Sequence, residues 1–482
     1  MPLQKFNRRG RSVCLPLMEI NKVSKFMLNT KNLNMQVIAE KVIIFLIYFV
    51  IFETLITKYI FDNMIFKYIA EAVIYVLAVY CIVLRIKENK KFKILKHEVL
   101  LVVLSFYLIL TTVIINRIDM LIFILSIRTL YRYIVLYFIV TNIEFTEEST
   151  KRILKHIKLS GIIVLAFGTL QILLPRLMNP FLTPKAYQLG DMVREDSITV
   201  IDGKAIFSLL ERYDRYGIFL IIIMTVLLAG GYKKKSNIVV MILAVINMIY
   251  TYSRQAWVGL AVAVLVGLIL KKRFFPIFFT SGAAALGMAA VLTTGNMVQD
   301  VYFGSPMQRV LQVFSSSYIK TSVETARLRI FVDILPKFLY EFKLYTIFGL
   351  GIGNFAALAN SMTNYELYMR YFLLFNVEYS GIYHISDVYW IELVMELGLL
   401  GITIFFIYFI SAFKYYYSYY KQKISSFSKE LNLIALRLIA ATVVINFFGP
   451  NMLITGYSFF LWLLLGLVVN MNNLERRRGN VQ

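Results

Sequence analysis

Long apolar stretches recur along most of this chain and are separated by short polar gaps. An apolar stretch of about 18 or more residues can cross a bilayer as a helix. The pattern therefore predicts an all-α, polytopic membrane helical bundle with about 12 transmembrane helices. The predicted segments lie at 42–57, 65–84, 98–115, 119–140, 157–174, 216–231, 237–252, 256–270, 274–293, 388–411, 432–448 and 452–470.

The gaps between these segments alternate between strongly basic and nearly uncharged. Short loops rich in Lys and Arg stay on the cytoplasmic side of a membrane. The alternation therefore predicts that both termini are cytoplasmic. The basic gaps are 85–96, 151–158, 233–235, 271–273 and 414–429, and the chain ends with Arg476, Arg477 and Arg478.

Two of the outer gaps, 175–215 and 294–387, are much longer than turns. The second is a large extracytoplasmic loop with room for short helices, and Ala326–Phe342 has helical spacing that Pro336 interrupts. An extracytoplasmic site must therefore be built largely from these two loops. The predicted division is 1–40, a cytoplasmic tail; 41–293, helices one to nine; 294–387, the large loop; 388–470, helices ten to twelve; and 471–482, a second cytoplasmic tail.

Composition agrees with a membrane protein and limits the partners. The 482 residues are 59% hydrophobic and 16% charged, with a formal charge of +23 and a mean hydropathy of +0.69. The basic residues flank apolar segments, where they bias insertion and meet anionic headgroups. Because no basic patch falls in a separate soluble domain, we expect membrane lipids and no nucleic acid as partners. With two cysteines, both predicted on or near the cytoplasmic side, we expect no metal site.

Arginines recur in three separate outer stretches. Arg254 stands in Ser253-Arg254-Gln255-Ala256-Trp257, and taken alone it fits either a residue that snorkels to the headgroups or an anion clamp. Arg212 and Arg215 directly precede a segment, and Arg327 and Arg329 begin the helix of the large loop. A guanidinium group presents a fixed fork of donors to phosphate. The three stretches together predict a pyrophosphate-binding cluster at the outer mouth of the bundle.

A glycine-rich segment follows in the large loop. Gly349, Gly351 and Gly353 alternate with apolar residues, which does not match the spacing of a nucleotide-binding loop. The alternation indicates backbone that turns tightly or approaches another element closely. A structural turn and a loop that contacts substrate both remain open.

Candidate acid–base residues lie where the large loop re-enters the membrane. His384 is the only outer histidine, and Asp387 is a plausible base or substrate ligand at that depth. Glu392 and Glu396 share one helix face because they are four residues apart. Carboxylates inside a spanning segment are functional candidates by default. A structural hydrogen-bonding role for Glu392 or Glu396 remains an equal alternative.

Taken together, these elements resemble the bacterial O-antigen ligase and polysaccharide polymerase family. The resemblance covers roughly residues 210 to 410, whereas the first 140 residues match only as hydrophobic segments. The matching motifs are Ser253-Arg254-x-Ala256-Trp257, Arg327-Leu328-x-Ile330-Phe331, Gly349-x-Gly351-x-Gly353-Asn354-Phe355 and Asp387-x-x-Trp390-Ile391-x-x-x-x-Glu396-x-Gly398-x-x-Gly401.

The resemblance implies a metal-independent inverting glycosyltransferase that uses no cofactor. Its donor would be a glycan on undecaprenyl pyrophosphate and its acceptor another glycan, at an active site facing outside on the bacterial cytoplasmic membrane. A flippase and chain-length-control proteins would be further partners. The family motif at re-entry often begins His-Asn, whereas this chain has Asp387 and Val388 there and His384 three residues earlier. We therefore expect Asp387, or less favourably His384, to act as the base.

Three functions are compatible with these residues and with the resemblance. A polysaccharide polymerase that extends a capsule, exopolysaccharide or O-antigen chain is preferred over a ligase that moves a finished glycan to a lipid, protein or wall acceptor. A flippase or transporter for lipid-linked glycans is the alternative from another class. Transporters place ionisable residues and broken helices near the bilayer midplane. Glu53, Arg128 and Arg132 are the exceptions that lie inside predicted segments, and we expect them to form an internal ion pair or to satisfy backbone groups within the bundle.

Overall fold

In the computed structural model of this protein, the regular secondary structure of the described residues is helical apart from one small hairpin. Gln188–Leu189 pairs antiparallel with Met192–Val193. Among the described residues, five helices are long and apolar enough to cross a membrane, or six if one bent pair counts as a span. The protein is therefore a helical membrane protein. The structure describes residues 17–60, 68–183, 188–189, 192–193, 205–229, 235–272, 320, 327–355 and 388–479.

Seven helices occupy the first part of the described chain. The third ends in a π-helical turn, Leu110–Ile115. The helices are α1 (Leu17–Tyr59), α2 (Ile69–Lys87), α3 (Glu98–Ile109), α4 (Met120–Tyr131), α5 (Ile134–Asn142), α6 (Glu147–Leu173) and α7 (Pro175–Leu182).

Nine more helices follow, of which three are short and lie in the large loop. A π-helical turn, Ile330–Ile334, separates the first two of these, so the helix expected at Ala326–Phe342 is interrupted just before Pro336. The helices are α8 (Tyr213–Ala229), α9 (Lys235–Tyr250), α10 (Arg254–Leu270), α11 (Arg327–Arg329), α12 (Leu335–Glu341), α13 (Lys343–Phe348), α14 (Tyr389–Lys421), α15 (Ser426–Ile445) and α16 (Thr455–Arg477).

The described helices account for part of the expected twelve spans. The spans that pass on length and apolarity are α2, α3 with its π-turn, α6, α14 and α16, and α4 with α5 forms the bent pair. Helices α9 and α10 are apolar but shorter. The segment expected at 274–293 lies outside the described residues.

Helix α1 begins well before its apolar segment. It starts at Leu17, whereas the apolar pattern starts near residue 42. The stretch between contains several lysines but no proline or glycine. Charged residues are tolerated in a solvated helix, whereas proline and glycine interrupt it. The helix therefore continues through part of what the pattern predicts as a tail.

Described residues of four basic gaps, 85–96, 151–158, 271–273 and 414–429, lie at one end of the bundle together with Arg477 and Arg478, and we call it the basic end. Polar contacts there join stretches that are far apart in sequence. They are Arg152 with Glu40 (2.5 Å), Lys93 with Glu144 (3.1 Å), Lys271 with Glu430 (3.0 Å), Ser428 with Glu475 (2.7 Å), and the pairs Arg477 with Glu144 and Arg478 with Glu147.

Helix α16 forms the centre of the bundle. Of the 18 most apolar consecutive residues of α16, 89% are buried inside the protein. The corresponding share for α2, which lies at the periphery, is 33%. Trp462 of α16 packs against Tyr137 of α5, with ring centroids 5.8 Å apart. Peripheral helices keep large apolar side chains exposed, which is the surface that lipid covers.

Helices α4 and α5 form a bent pair, which is either a broken span or a re-entrant loop. Their axes differ by 52°, and Arg132 lies at the break. Arg128 and Arg132 both approach the buried carboxylate of Glu71 on α2, at 3.4 Å and 3.1 Å. This confirms the expected internal ion pairs for the two arginines, with Glu71 as a partner that was not predicted from the sequence.

Candidate functional site

The segment Gly349–Gly353, called here the glycine segment, is a tight turn in left-handed backbone. Gly349, Gly351 and Gly353 have φ values of 81°, 91° and 83°. Residues with a Cβ atom rarely adopt these angles. At each of the three positions an added Cβ would also clash with a neighbouring element. This confirms the prediction of close backbone approach, and contact with substrate remains a prediction.

The glycine segment docks into a break in α14. Gly398 interrupts that helix with φ 66° and ψ 177°. The backbone N–H groups of Leu350 and Gly351 donate to the carbonyls of Met395 (2.8 Å) and Glu396 (2.9 Å). Carbonyls that lose their helical partners must find others when buried. The loop and the broken helix therefore satisfy each other.

Helix α3 and its π-turn brace this junction from a third side. The hydroxyl of Tyr107 lies 2.9 Å from the carbonyl of Phe348 and 2.6 Å from that of Leu397. Asn116 donates to the carbonyl of Gly349 (3.2 Å), and Thr112 accepts from the N–H of Ile352 (3.0 Å). Tyr107, Thr112 and Asn116 were not predicted from the sequence, although polar side chains within an apolar segment were an available signal.

Glu396 holds the end of the glycine segment. Its side chain is buried, and Oε1 accepts a hydrogen bond from the N–H of Phe355 at 3.3 Å. Glu392 is also buried, one turn earlier on α14. Glu396 thus has the structural hydrogen-bonding role that the sequence left open. A functional role for either carboxylate stays a prediction.

Two of the three arginine stretches meet at the end of the bundle away from the basic end. The N–H of Ile206 donates to the carbonyl of Tyr250 (3.0 Å), and Tyr213 packs against the buried Tyr252. Gly217 lies so close to Ser253 and Ala256 that a Cβ would clash with both. We call this meeting of 205–217 with 250–257 the arginine corner.

Each arginine of the first stretch is held by a nearby carboxylate. Arg212 binds Asp214 through Nε (3.1 Å) and Nη2 (3.0 Å), and Arg215 pairs with Glu211. Both side chains keep about a third of their surface exposed (29% and 32%). The guanidinium groups are thus oriented while remaining accessible.

Each stretch of the arginine corner contains a non-glycine residue with left-handed backbone. Glu211 has φ 64° and Tyr252 has φ 55°. Non-glycine residues in this region cost of order 1–3 kcal/mol, and such residues cluster at functional sites. Glu211 directly precedes Arg212, and Tyr252 stands two residues before Arg254. The local strain therefore coincides with the predicted anion-binding residues.

The turn after α15 connects the arginine corner to α14. Asn451 donates to the side-chain oxygen of Gln255 (3.2 Å), next to Arg254. On the α14 side, the indole of Trp390 donates to the carbonyl of Val443 (2.8 Å). Residues 443–451 thus contact both the beginning of α10 and the beginning of α14.

The third arginine stretch packs against the glycine segment. Ile330 and Ile334 lie in one apolar cluster with Leu350 and Phe355, and Arg329 approaches Asp333 at 3.3 Å. Arg327 begins α11. A meeting of all three stretches at one cavity therefore stays a prediction.

Both candidate bases, Asp387 and His384, lie outside the described residues, which resume at Val388. In the described part of the chain, no group of three or more His, Cys, Asp or Glu side chains gathers as metal ligands do. The described candidates are arginines, which suit an anionic group. No protein-family model matches this sequence, and no curated protein matches it either.

Proposed function

We propose that this protein is a glycan polymerase on the outer face of the bacterial cytoplasmic membrane. It would transfer an undecaprenyl-pyrophosphate-linked glycan to an acceptor sugar, as the resemblance to the O-antigen ligase and polysaccharide polymerase family implies. Both termini would then be cytoplasmic, and the bundle would have about 12 spans with its active site outside.

The observation that carries this proposal is the arginine corner. Stretches 205–217 and 250–257 meet there, at the end of α10 opposite Lys271 of the basic end. A helix of 17 residues separates the two ends by about 25 Å. The positive-inside pattern supports a cytoplasmic basic end, and in this proposal Arg212, Arg215 and Arg254 would then face outside.

In the proposed reaction, the acceptor hydroxyl attacks the anomeric carbon as the bond from that carbon to the pyrophosphate oxygen breaks. Asp387 takes the hydroxyl proton, and the undecaprenyl pyrophosphate leaves with the bonding electron pair. Guanidinium groups aimed at the leaving group stabilise the charge that develops on it. A positioned base contributes about 10²–10⁴-fold, and one charge-stabilising donor contributes about 10²–10³-fold.

Substitution of Arg254 and Asp387 by alanine tests this proposal. We expect each variant to insert normally and to lower the rate of chain extension about 100-fold, so that single-repeat lipid-linked glycans accumulate. Arg176→Ala is the matched control, because Arg176 is an exposed arginine at the start of α7, outside the proposed site. Normal long chains from both site variants would exclude the proposed site.

The ligase alternative differs in its acceptor. A ligase variant would leave long finished glycans on undecaprenyl pyrophosphate, whereas a polymerase variant would leave single repeats. The size of the lipid-linked glycan that accumulates in Arg254→Ala cells therefore separates the two functions.

One observation favours a lipid-linked glycan flippase as a second candidate. Helices α4 and α5 are bent by 52° relative to each other, as a broken span or a re-entrant loop, and Arg128 and Arg132 meet Glu71 beside the bend. Broken helices near ionisable residues are typical of transporters, although transporters place such residues near the bilayer midplane and Glu71 lies in the first turn of α2. If the protein is a flippase, the Glu71 cluster is needed to move the substrate across the membrane, so Glu71→Gln would leave lipid-linked repeats on the cytoplasmic face. Lipid-linked repeats that accumulate on the outer face would instead favour the polymerase.

A further inference from the structure

A buried arginine lies in α15 in the half of the helix nearer the basic end. Arg437 is only 5% exposed. Its Nε and Nη1 atoms are buried, and neither has a hydrogen-bond partner in the structure. A buried guanidinium group is costly unless it is paired. This arginine therefore needs an anion that the described part of the chain does not supply through those two atoms.

Helices α10 and α14 both pack against α15, and the line along α15 where the two meet beside Arg437 is called here the groove. The guanidinium group lies directly on the backbone of Gly267 in α10, where a Cβ would clash with it. Across the groove, the hydroxyl of Tyr420 donates to the carbonyl of Leu270 (3.3 Å) and so joins α14 to α10.

The exposure pattern of α15 shows where this groove opens. From residue 431 to 442 every position is buried except Ala440, and Val444 is half-buried one turn later. Phe447 is exposed beyond them. Arg437, Ala440 and Val444 follow one another at helical spacing, so they lie on one face of α15, and Phe447 stands in the turn after it. The groove thus has a charged group at one end and an apolar stripe along the rest.

The charged end of the groove lies near the membrane surface. Side chains on a helix lean towards its N-terminus, which for Arg437 is the basic end. Gly267 is one turn from Lys271, whose ammonium group binds Glu430 (3.0 Å). The acidic side chain nearest along the helix is therefore already engaged by a lysine. The charge at this place favours an anion.

We propose that this groove binds an anionic glycerophospholipid of the leaflet at the basic end. The lipid phosphate would bind Arg437, and one acyl chain would lie along Ala440, Val444 and Phe447. From Arg437 to the end of α15 at Ile445 the helix rises about 12 Å, a little under half the thickness of a bilayer's hydrocarbon core. Basic pockets between spanning helices on the cytoplasmic side are known to hold lipid headgroups.

The test measures thermal unfolding of the purified full chain in neutral detergent. Phosphatidylglycerol should raise the unfolding temperature saturably, whereas phosphatidylcholine with the same acyl chains and inorganic phosphate should not, because a ligand stabilises the state it binds. Equal shifts with the two lipids would overturn the proposal. An equal shift with inorganic phosphate would exclude a lipid as the ligand.

Two variants assign the effect to the groove. Arg437→Gln should weaken the apparent affinity for phosphatidylglycerol at least about 10-fold, while Lys423→Gln, at an exposed basic-end position in the turn before α15, should leave it unchanged. Equal weakening in both variants would show general attraction to the basic end and contradict the proposal. If Arg437→Gln does not fold, the wild-type lipid comparison still decides, and Arg437→Lys should retain part of the selectivity.

Discussion

The basic end and the arginine stretches use the same ionic groups in different ways. At the basic end, ion pairs join residues far apart in the chain, as in Arg152 with Glu40 and Lys271 with Glu430, which are 112 and 159 positions apart. At the arginine corner and in the large loop, Arg212, Arg215 and Arg329 approach carboxylates only two or four positions away. Glu71, in the first turn of α2, forms long-range pairs with Arg128 and Arg132 at the same end of the bundle.

This difference separates two tasks of charge in a membrane protein. A pair between distant stretches restricts how helices pack, so it contributes to the fold. A pair within one stretch orients a guanidinium group without joining elements. The glycine segment is instead joined to α14 by backbone contacts. The arginines of the arginine corner are oriented by carboxylates of their own stretch, as the proposed anion site requires.

The largest expected effect tests whether backbone packing holds the glycine segment against α14. Gly349→Ala places a Cβ against the backbone of Glu396 and Gly398 at a left-handed φ, so we expect a loss of about 3 kcal/mol or more in unfolding free energy. Gly479→Ala is the matched control, because that glycine also has a positive φ but open space around it. Thermal melting in detergent measures both, and equal losses would contradict the packing argument.

The basic end should be the part that responds to mild acid. Burial among the tyrosines of α14 lowers the pKa of His97 from 6.5 to about 4. Between those two values the unfolded chain binds a proton that the folded chain does not, so stability falls as the pH falls. We expect about 2 kcal/mol less stability at pH 5 than at pH 7. His97→Gln should remove most of this change in melting temperature, and a variant that keeps it would assign the pH response elsewhere.

A smaller effect should come from the long-range ion pairs. Burial raises the pKa of Glu144, but hydrogen bonds from Arg477 and Lys93 outweigh it and lower that pKa to about 2. Glu144→Gln removes one charge from both pairs, and we expect a loss of about 1 kcal/mol near neutral pH because the group is partly exposed. The loss should shrink as the pH falls from about 4.5 to about 2, because in that range the unfolded wild-type chain binds a proton at Glu144 that the folded chain does not. A variant as stable as wild type would show that these pairs do not restrict packing.

The smallest effect is expected for a local pair. Asp333→Asn weakens the contact with Arg329, and half of the Asp333 side chain is exposed. An exposed pair of this kind contributes below about 0.5 kcal/mol, so the melting temperature should stay within error of wild type. A loss as large as that of Glu144→Gln would remove the distinction between the basic end and the arginine stretches.

The apolar segments were predictable because hydrophobic length is a local property. Most of the predicted segments overlap an observed helix and end within a few residues of it. The interruption of the large-loop helix near Pro336 was also expected. The positive φ angles of Gly349, Gly351 and Gly353 were predictable, because glycines at alternate positions indicate backbone that turns tightly or approaches another element closely. The sequence also indicated that Arg128 and Arg132 would be paired inside the bundle.

The breaks inside helices were not predictable from local sequence. Gly398 lies within an apolar run, and its left-handed conformation depends on carbonyls that Leu350, Gly351 and Tyr107 can reach only in the folded bundle. The bend at Arg132 likewise depends on Glu71, which lies on a different helix, α2. Such features arise from contacts between distant stretches, and a single segment carries little sign of them.

The brace from Tyr107 also has a consequence for biosynthesis. The Tyr107 hydroxyl can contact the carbonyl of Leu397 only after Leu397 is synthesised, 290 residues later. At about 5–20 residues per second, that interval is roughly 15–60 s. During this interval the Tyr107 hydroxyl lacks its partner on α14. A chain whose synthesis stops before α14 therefore lacks this contact and exposes the unpaired group to quality-control proteases.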